Sequence, residues 1–301
     1  MADQHQVASI QVGISIYRQR FDHIRRCLDS CLNQHSVPVQ VVVRLDGPEA
    51  VEPEVLDWLQ ELTLNHHNFY LLKGIDRLGA FGSYRQIFAV SDSEFLCQVD
   101  ADDFLPPYAL SITHSFLTAH PDASFLYTQC LDVDVNDTPI ALGHRAMTPF
   151  SYDAHLTTFM TYHLRLVRRH FYDAVGGYSA DFSYTGDYDL SLRLAEVGDV
   201  VFLDQPLYFY RLHHDSASQQ KRKEVNDEVL MVCRRALQRR GLEDSFDVSC
   251  DAEGRLLLHA RTGESVHHHL QSLAEQEPDS GIDYEYVNER IFYISPVEAH
   301  S

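Results

Sequence analysis

Short apolar runs alternate with helical patterns along the first half of the chain. The apolar runs predict buried strands at residues 12–16, 39–45, 69–72, 94–99 and 125–129. Between them, apolar residues recur at spacings of three and four, which predicts helices after Asp22, at 55–62, at 81–90 and from 107 to about 119. Asp22 is expected to cap the first of these helices. Such alternation builds a mainly parallel sheet with helices on both faces, so the predicted fold class is α/β.

The second half of the chain has a less regular pattern. We predict helices at 169–175 and 187–197, short strands at 200–203 and 207–210, and loops at 140–161. A charged amphipathic helix is predicted at 221–240, and two short runs around Glu253-Gly254 predict a hairpin. We therefore divide the chain into a main α/β domain, residues 1–220, and a C-terminal helix with a small α+β module, residues 221–301.

Acidic residues follow two of the predicted strands directly. Asp46 comes after the second strand and Asp100 after the fourth, and ligands of such sheets bind beyond the carboxyl ends of the strands. Asp100, Asp102 and Asp103 lie within four residues, where carboxylates repel one another unless something neutralises them. A divalent cation with oxygen ligands, Mn²⁺ or Mg²⁺, would do so and would in turn hold a diphosphate. The alternative is a solvated acidic turn that caps the next helix.

Several segments, in the same order along the chain, carry a family resemblance. They are residues 12–17, 41–47, 79–89, 98–106, 175–194 and 206–213. Together they resemble the family 2 glycosyltransferases of the GT-A fold, with the acidic cluster as the D-x-D element. The resemblance implies a Rossmann-like domain that transfers a sugar, with inversion and with a metal, from a nucleotide diphosphate to an acceptor hydroxyl. A UDP-sugar is the expected donor, and a glycan or another hydroxyl-bearing molecule the expected acceptor.

The resemblance also implies a donor site. Ser15 and Tyr17 match positions that face the nucleotide base, and Asp46 matches the aspartate that reads uracil. Guanidinium groups bind phosphate well, so three arginines are candidates to contact the diphosphate. They are Arg77, Arg85 and Arg211.

For the metal and the diphosphate, the acidic cluster supplies the expected ligands. Asp102 and Asp103 are expected to hold the ion, and Asp100 to orient the ribose or a metal-bound water. His213 matches a position that completes the metal shell or contacts phosphate; the alternative is a merely solvated histidine.

The acceptor hydroxyl needs a general base, and Asp187 is the candidate. It lies in the matched segment at the start of a predicted helix, where a carboxylate also favours the positive end of the helix dipole. Capping of that helix is therefore the alternative role. Asp189 and Arg193 are four residues apart and are expected to form a pair within the helix.

The chain departs from the family pattern at several points. The proline and asparagine usual around Tyr17 are absent, and the pairs Leu45-Asp46 and Gly186-Asp187 each keep one carboxylate of an acidic pair. A Gln-x-x-Arg-Trp element is also absent, which favours single addition over processive synthesis. Two other functions stay open: a nucleotide-sugar-binding protein that has lost transfer, and a sugar nucleotidyltransferase. The second usually needs an early Gly-rich loop and lysine, and here the first lysine is Lys73.

The charge and composition of the chain limit the kinds of partner that it is expected to bind. A formal net charge of −20 would repel nucleic acid and anionic membranes. No stretch reaches the roughly 18 apolar residues that a membrane helix needs, and the first residues lack a secretion signal. The six cysteines do not form a disulfide pattern, so we expect reduced thiols and a cytoplasmic protein. The C-terminal module could bind the acceptor, a partner chain or a second copy of this chain.

Overall fold

The computed structural model describes residues 9–143, 149–212, 221–250 and 256–261. Within these ranges the strands are β1 (Ile10–Ile16), β2 (Val39–Leu45), β3 (Phe69–Lys73), β4 (Phe95–Gln98), β5 (Ala123–Val133), β6 (Pro139–Leu142), β7 (Arg165–Arg168), β8 (Asp199–Arg211), β9 (Phe246–Cys250) and β10 (Leu256–Ala260). The helices are α1 (Phe21–Leu32), α2 (Pro53–Asn65), α3 (Gly79–Phe88), α4 (Ala109–Thr118), α5 (Arg169–Ala174), α6 (Gly186–Ala195) and α7 (Arg222–Arg239), with a 3₁₀ turn at Ala154–Leu156.

A mixed, mainly parallel sheet forms the centre of the molecule. Its strand order is β3-β2-β1-β4-β7-β5-β6, and β8 pairs with β5 off this path. The first four strands in that order are parallel, whereas β7 runs antiparallel to both β4 and β5. Because β7 is reversed, its first residues lie at the edge of the sheet where the parallel strands end.

Helices cover both faces of the sheet, as the alternation of elements predicts. Along β2, Val41 and Val43 pack into the core beneath α1, α2 and α4, while Val42 packs into the core beneath α3, α5 and α6. On the second face α3 lies very close to β1: a Cβ added at Gly13 would be 2.8 Å from the Ile87 side chain. Glycine at this position therefore permits the close helix–sheet contact.

Most predicted elements are confirmed, and the differences have local causes. Asp22 does not cap α1; the helix begins at Phe21, so Asp22 lies inside its first turn. The two short strands predicted at 200–203 and 207–210 form one strand, β8, whose register against β5 shifts where the apolar pattern is interrupted. Strands β6 and β7 were not predicted, since both are only four residues long and β7 begins and ends with arginine.

The C-terminal helix and hairpin share a hydrophobic core with the main domain. Strands β9 and β10 pair antiparallel, as predicted, and pack on α7. Buried residues from α7 and the hairpin meet buried residues from α6 and the segment before it: Leu156, Phe182, Tyr188, Leu192, Val232, Cys233, Ala236, Leu237, Phe246, Val248 and Leu258. Among the described residues, no helix has the length and apolar character to cross a membrane.

A buried histidine beside this shared core makes stability depend on pH. The Nε2 atom of His155 lies 2.8 Å from Ser191 Oγ, and its Nδ1 atom accepts a hydrogen bond from the Met160 N–H. Burial, followed by the positive charge of Arg240, lowers the pKa of His155 to about 3. An unfolded histidine titrates near 6.5, so between these values the unfolded chain binds more protons than the native protein.

We therefore expect His155 to make the protein less stable as the pH falls below about 6.5. Each pH unit costs about 1.4 kcal/mol, which gives about 2 kcal/mol at pH 5. Urea unfolding at pH 7 and pH 5 should show this difference in the wild type and a smaller one in His155→Gln. The matched control is His120→Gln, because His120 is exposed. Equal pH dependence in all three proteins would contradict the assignment.

Candidate active site

The carboxyl ends of β1, β2 and β4 bring the predicted donor residues to one edge of the sheet. Ile16 pairs with Leu45, and Gly13 pairs with Gln98, so Tyr17, Asp46 and Asp100 all follow neighbouring strand ends. The reversed strand β7 adds its beginning to the same edge, because Leu166 pairs with Cys97. This edge is where ligands of open α/β sheets bind.

Tyr17 and Arg77, both predicted donor residues, lie together at this edge. The Arg77 guanidinium carbon is 3.9 Å from the centre of the half-buried Tyr17 ring, a cation–π contact. Ser15 is half-buried near the end of β1, where it pairs with Arg44 of β2. The structure thus groups an aromatic ring, a hydroxyl and an exposed guanidinium.

Asp46 is buried, and its carboxylate holds the start of α3. Its Oδ1 accepts hydrogen bonds from Arg44 at 2.7 Å, from the Leu78 N–H at 2.7 Å and from Ser83 at 3.1 Å, and its Oδ2 accepts one from the Gly79 N–H at 2.9 Å. A carboxylate at a helix N-terminus is stabilised by the unpaired N–H groups there. In this geometry Asp46 fixes the loop that carries Arg77.

Asp100 has three side-chain partners. Its Oδ1 accepts hydrogen bonds from Tyr84 at 3.2 Å and Gln98 at 3.0 Å, and its Oδ2 lies 3.3 Å from His163 Nε2. Burial opposes ionisation of Asp100, but the charge and hydrogen bond of His163, with the hydrogen bond from Gln98, hold its pKa well below the ordinary value. Asp100 is therefore an ionised, oriented carboxylate.

Asp103 faces the protein interior. Its Oδ1 accepts the Arg211 N–H at 2.8 Å, its Oδ2 accepts the Tyr208 hydroxyl at 2.8 Å, and the residue is 2% exposed. Burial, together with the negative charges of Asp102 and Asp100, raises the pKa of this carboxyl. Asp103 was predicted as a metal ligand, but here both its oxygens attach the acidic turn to β8.

Of the predicted metal ligands, Asp102 has the geometry that fits best. Its side chain is half-buried, whereas that of Asp103 is enclosed. No three His, Cys, Asp or Glu side chains converge within the described ranges. Mg²⁺ commonly binds through one or two carboxylates plus substrate phosphates, so a single rim carboxylate suits a metal that arrives with a diphosphate. His213, the third predicted ligand, lies outside the described residues.

Two of the three candidate phosphate-binding arginines do not join Tyr17 and Arg77 at the strand ends. Arg211 is 2% exposed, and its guanidinium donates to the Asp102 and Asp134 carbonyls and pairs with Asp137 at 2.6 Å. This buried arginine therefore stabilises the backbone of the acidic turn. Arg85 lies on an exposed position of α3, about 9 Å along the helix from its first residue. Arg77 is the candidate that lies at the strand ends.

Asp187 is in the first turn of α6 and pairs with a buried arginine. Both terminal nitrogens of Arg165 lie 3.2 Å from its Oδ2, and its Oδ1 accepts the Tyr188 N–H at 2.9 Å. Burial alone would lower the pKa of Arg165, but the charge of Asp187 raises it, so the guanidinium stays charged. The Asp187 side chain is 19% exposed and that of Arg165 is 6% exposed, so the carboxylate is held at the surface by a partner beneath it.

The helix that carries Asp187 starts very close to α3. A Cβ added at Gly186 would lie 2.6 Å from the Phe81 ring, so no side chain fits there without a shift. Glycine at this position therefore permits the close contact between α6 and α3. One turn further, Arg193 pairs with Asp189 at 2.5 Å, which confirms the predicted pair within α6.

Sequence reasoning missed His163 and Arg165. Both precede or begin β7, and they reach Asp100 and Asp187 respectively only because that strand is antiparallel. A signal was present: a charged residue interrupts the apolar run Leu164–Val167, and a buried charge needs a partner. The partner itself is distant in sequence.

Comparison with known proteins decides the family. The model of glycosyl transferase family 2 matches residues 12–176, which is more than half of the chain. The chain belongs to glycosyl transferase family 2. It is therefore a glycosyltransferase, as the resemblance implied.

Curated relatives of this glycosyltransferase are much longer polymer synthases. It is 25% identical over 241 residues to the hyaluronan synthase of Pasteurella multocida. The aligned region covers 78% of this chain and 24% of that synthase. It is 24% identical over 233 residues to the chondroitin synthase of Escherichia coli, with 76% and 33% covered. The chain thus spans a quarter to a third of the length of these relatives.

Solved structures confirm the GT-A fold. S. aureus TarS 1–349, in complex with UDP-GlcNAc, superposes with a TM-score of 0.61 at 15% identity, covering 76% of this chain and 66% of that one. The mannosyltransferase PcManGT from Pyrobaculum calidifontis, in complex with GDP-Man and Mn²⁺, gives a TM-score of 0.58 at 14% identity, covering 78% and 65%. At these identities the likeness establishes the fold of this glycosyltransferase; its cytoplasmic location stays a prediction.

Proposed function

We propose that the protein is an inverting, metal-dependent glycosyltransferase that moves one sugar from a UDP-sugar to a hydroxyl of a glycan or another acceptor. Asp187 is the proposed general base. Tyr17, Ser15 and Arg77 form the proposed nucleotide side, with Asp46 holding the loop that carries Arg77. Asp100 and Asp102 face the proposed diphosphate and metal.

The observation that carries the proposal is that the buried guanidinium of Arg165 acts on both carboxylates: it pairs with Asp187 at 3.2 Å, and its charge helps to lower the pKa of Asp100. Gln98, which donates to Asp100, and Asp187 with Arg165 line one cavity. Tyr178 donates a hydrogen bond to Gln98 and lines the same cavity. The carboxylate proposed for the donor side and the half-buried carboxylate proposed for the acceptor side are therefore linked through Gln98 and Arg165, an arrangement that suits a direct displacement.

In the proposed reaction, the acceptor oxygen attacks the anomeric carbon of the donor sugar. The bond from that carbon to the diphosphate oxygen breaks, and the nucleotide diphosphate leaves with the electron pair. Asp187 takes the hydroxyl proton, and Arg165 keeps its carboxylate oriented throughout. Because attack and departure occur on opposite sides of the carbon, the configuration inverts. A bound Mn²⁺ or Mg²⁺, held by Asp102, would neutralise charge on the leaving diphosphate.

Support for a UDP-sugar comes from likeness to TarS, whose solved structure contains UDP-GlcNAc. Support for a metal comes from likeness to PcManGT, which was solved with GDP-Man and Mn²⁺. The half-buried carboxylate of Asp102 is the feature of this chain that fits such an ion. The glycan acceptor is proposed from the polymer synthases among its relatives.

A thermal-shift screen of UDP- and GDP-sugars, with and without Mn²⁺, tests the donor and metal together. At a ligand concentration 100 times Kd, binding stabilises the native state by about 2.7 kcal/mol. For a chain of 301 residues that stabilisation raises Tm by about 4 °C. We expect it for UDP-sugars only when metal is present. A shift for GDP-sugars alone, or one that persists in chelator, would contradict the donor or the metal assignment respectively.

A further inference from the structure

A side chain from the C-terminal module binds the segment immediately before the helix that carries Asp187. The carboxylate of Glu228, on α7, accepts the N–H of Ser183 at 2.9 Å through Oε1. Its Oε2 accepts the N–H groups of Tyr184 at 2.8 Å and Thr185 at 3.1 Å, and the Thr185 hydroxyl at 3.1 Å. One carboxylate therefore takes up three consecutive backbone N–H groups immediately before α6.

These contacts order the chain that leads into α6. Backbone N–H groups outside a helix or sheet need an acceptor, and Glu228 supplies it for three residues in a row. Thr185, the residue just before α6, makes no side-chain bond that caps the helix. A carboxylate aimed at several N–H groups also gains from its charge and from the positive end of the helix dipole. The Glu228 carboxylate thus fixes the backbone two residues before Asp187.

The surrounding interface keeps Glu228 in place. Helices α6 and α7 lie side by side in the same direction, because Glu228 meets the start of α6 and Arg239 pairs with Glu196 at its end at 2.5 Å. Between these polar ends, Val232, Cys233 and Ala236 pack in the shared core. The contact made by Glu228 is therefore one part of a continuous interface between the two helices.

We propose that Glu228 is a positioning residue for the active site, so that the C-terminal module completes the acceptor side of the enzyme. Two contacts then position the Asp187 carboxylate. Arg165 binds its Oδ2 atom, and Glu228 orders the backbone that precedes it. This inference rests on the proposed role of Asp187 as base. Its physical core, the ordering of residues 183–185 by Glu228, does not depend on that role.

The test compares Glu228→Gln with Glu224→Gln in the full chain. Glutamine keeps the size of Glu228 but has one acceptor oxygen and no charge, so some of the three N–H groups lose their partner. Glu224 lies one turn earlier on α7, is 52% exposed and pairs with Lys221, which makes it the matched control. In Glu228→Gln we expect faster amide exchange at residues 183–185, a kcat lower by about tenfold to a hundredfold, and an unchanged nucleotide affinity. Glu224→Gln should resemble the wild type.

Each outcome separates this inference from the function on which it rests. If the wild type transfers sugar and Glu228→Gln matches Glu224→Gln in exchange and kcat, the positioning role is refuted. Loss of nucleotide binding together with transfer in Glu228→Gln would also refute it, because the effect would then be global. If the wild type transfers no sugar, the proposed function fails, and exchange at 183–185 still decides whether Glu228 orders that segment. Glu228→Asp, which keeps the charge, should recover part of the kcat.

Discussion

Asp187→Asn should slow sugar transfer by about 10²–10⁴-fold while leaving nucleotide binding intact. Asparagine keeps the shape of aspartate and can still accept a hydrogen bond from Arg165, but it cannot take a proton from the acceptor hydroxyl. General-base contributions are about 10²–10⁴-fold, so we expect kcat to fall by that factor. The Arg165 guanidinium loses its charged partner, which costs about 1–3 kcal/mol of stability. Transfer assays and calorimetric titration with UDP in the presence of Mn²⁺ measure the two effects separately.

The matched control for this variant is Asp189→Asn on the same helix. Asp189 is 2% exposed and pairs with Arg193, so its loss should lower Tm. It should leave kcat in the folded protein near that of the wild type, since this pair holds α6 to the turn at Val175 and Gly177. Residual transfer by Asp187→Asn close to the wild-type rate, or loss of UDP binding, would contradict the assignment of the base.

Asp102→Asn should remove the metal-dependent part of nucleotide-sugar binding. The amide carries no charge, so the ion loses its proposed protein ligand while the Tyr17–Arg77 side of the site is untouched. We expect the stabilisation of about 2.7 kcal/mol at 100 times Kd to disappear in the presence of Mn²⁺. The thermal shift with UDP-sugar should then be the same with metal and with chelator.

Asp103→Asn, one residue further, is the control that the acidic cluster itself provides. Its oxygens accept from Tyr208 and the Arg211 N–H in the interior, so the substitution should destabilise the protein by about 1–3 kcal/mol. The metal-dependent shift should persist. If Asp103→Asn abolished that shift and Asp102→Asn kept it, the ion would bind at Asp103, as the sequence alone also allowed.

The sequence predicts the parallel part of the sheet well for a physical reason. Strands such as Val39–Leu45, buried on both faces, read as mainly apolar runs, here interrupted by Gln40 and Arg44, and the helices between them keep one apolar stripe. Strand β7 escapes this reasoning, because four residues with arginine at both ends do not resemble a buried strand. Its arginines are tolerated only because partners from other elements pair with them.

For the site, the sequence predicts which residue types gather but not where each side chain points. Asp100, Asp102 and Asp103 look equivalent in the chain, yet hydrogen bonds from Tyr208 and the Arg211 N–H hold Asp103 in the interior, whereas Asp102 is half-buried. Arg211 looks like a phosphate ligand until its buried partners are known. The local sequence gives no sign of the role of Glu228, because the three N–H groups that donate to it lie more than forty residues earlier in the chain.

The chain that enters the reversed strand β7 joins the two sides of the proposed site. His163 contacts Asp100 on the proposed donor side, Arg165 contacts Asp187 on the proposed acceptor side, and Leu164 lies between them in sequence. A displacement of this short backbone segment moves both contacts, because neither side chain can shift far within a packed interior. We therefore expect that occupation of the donor half alters the orientation of the base directly.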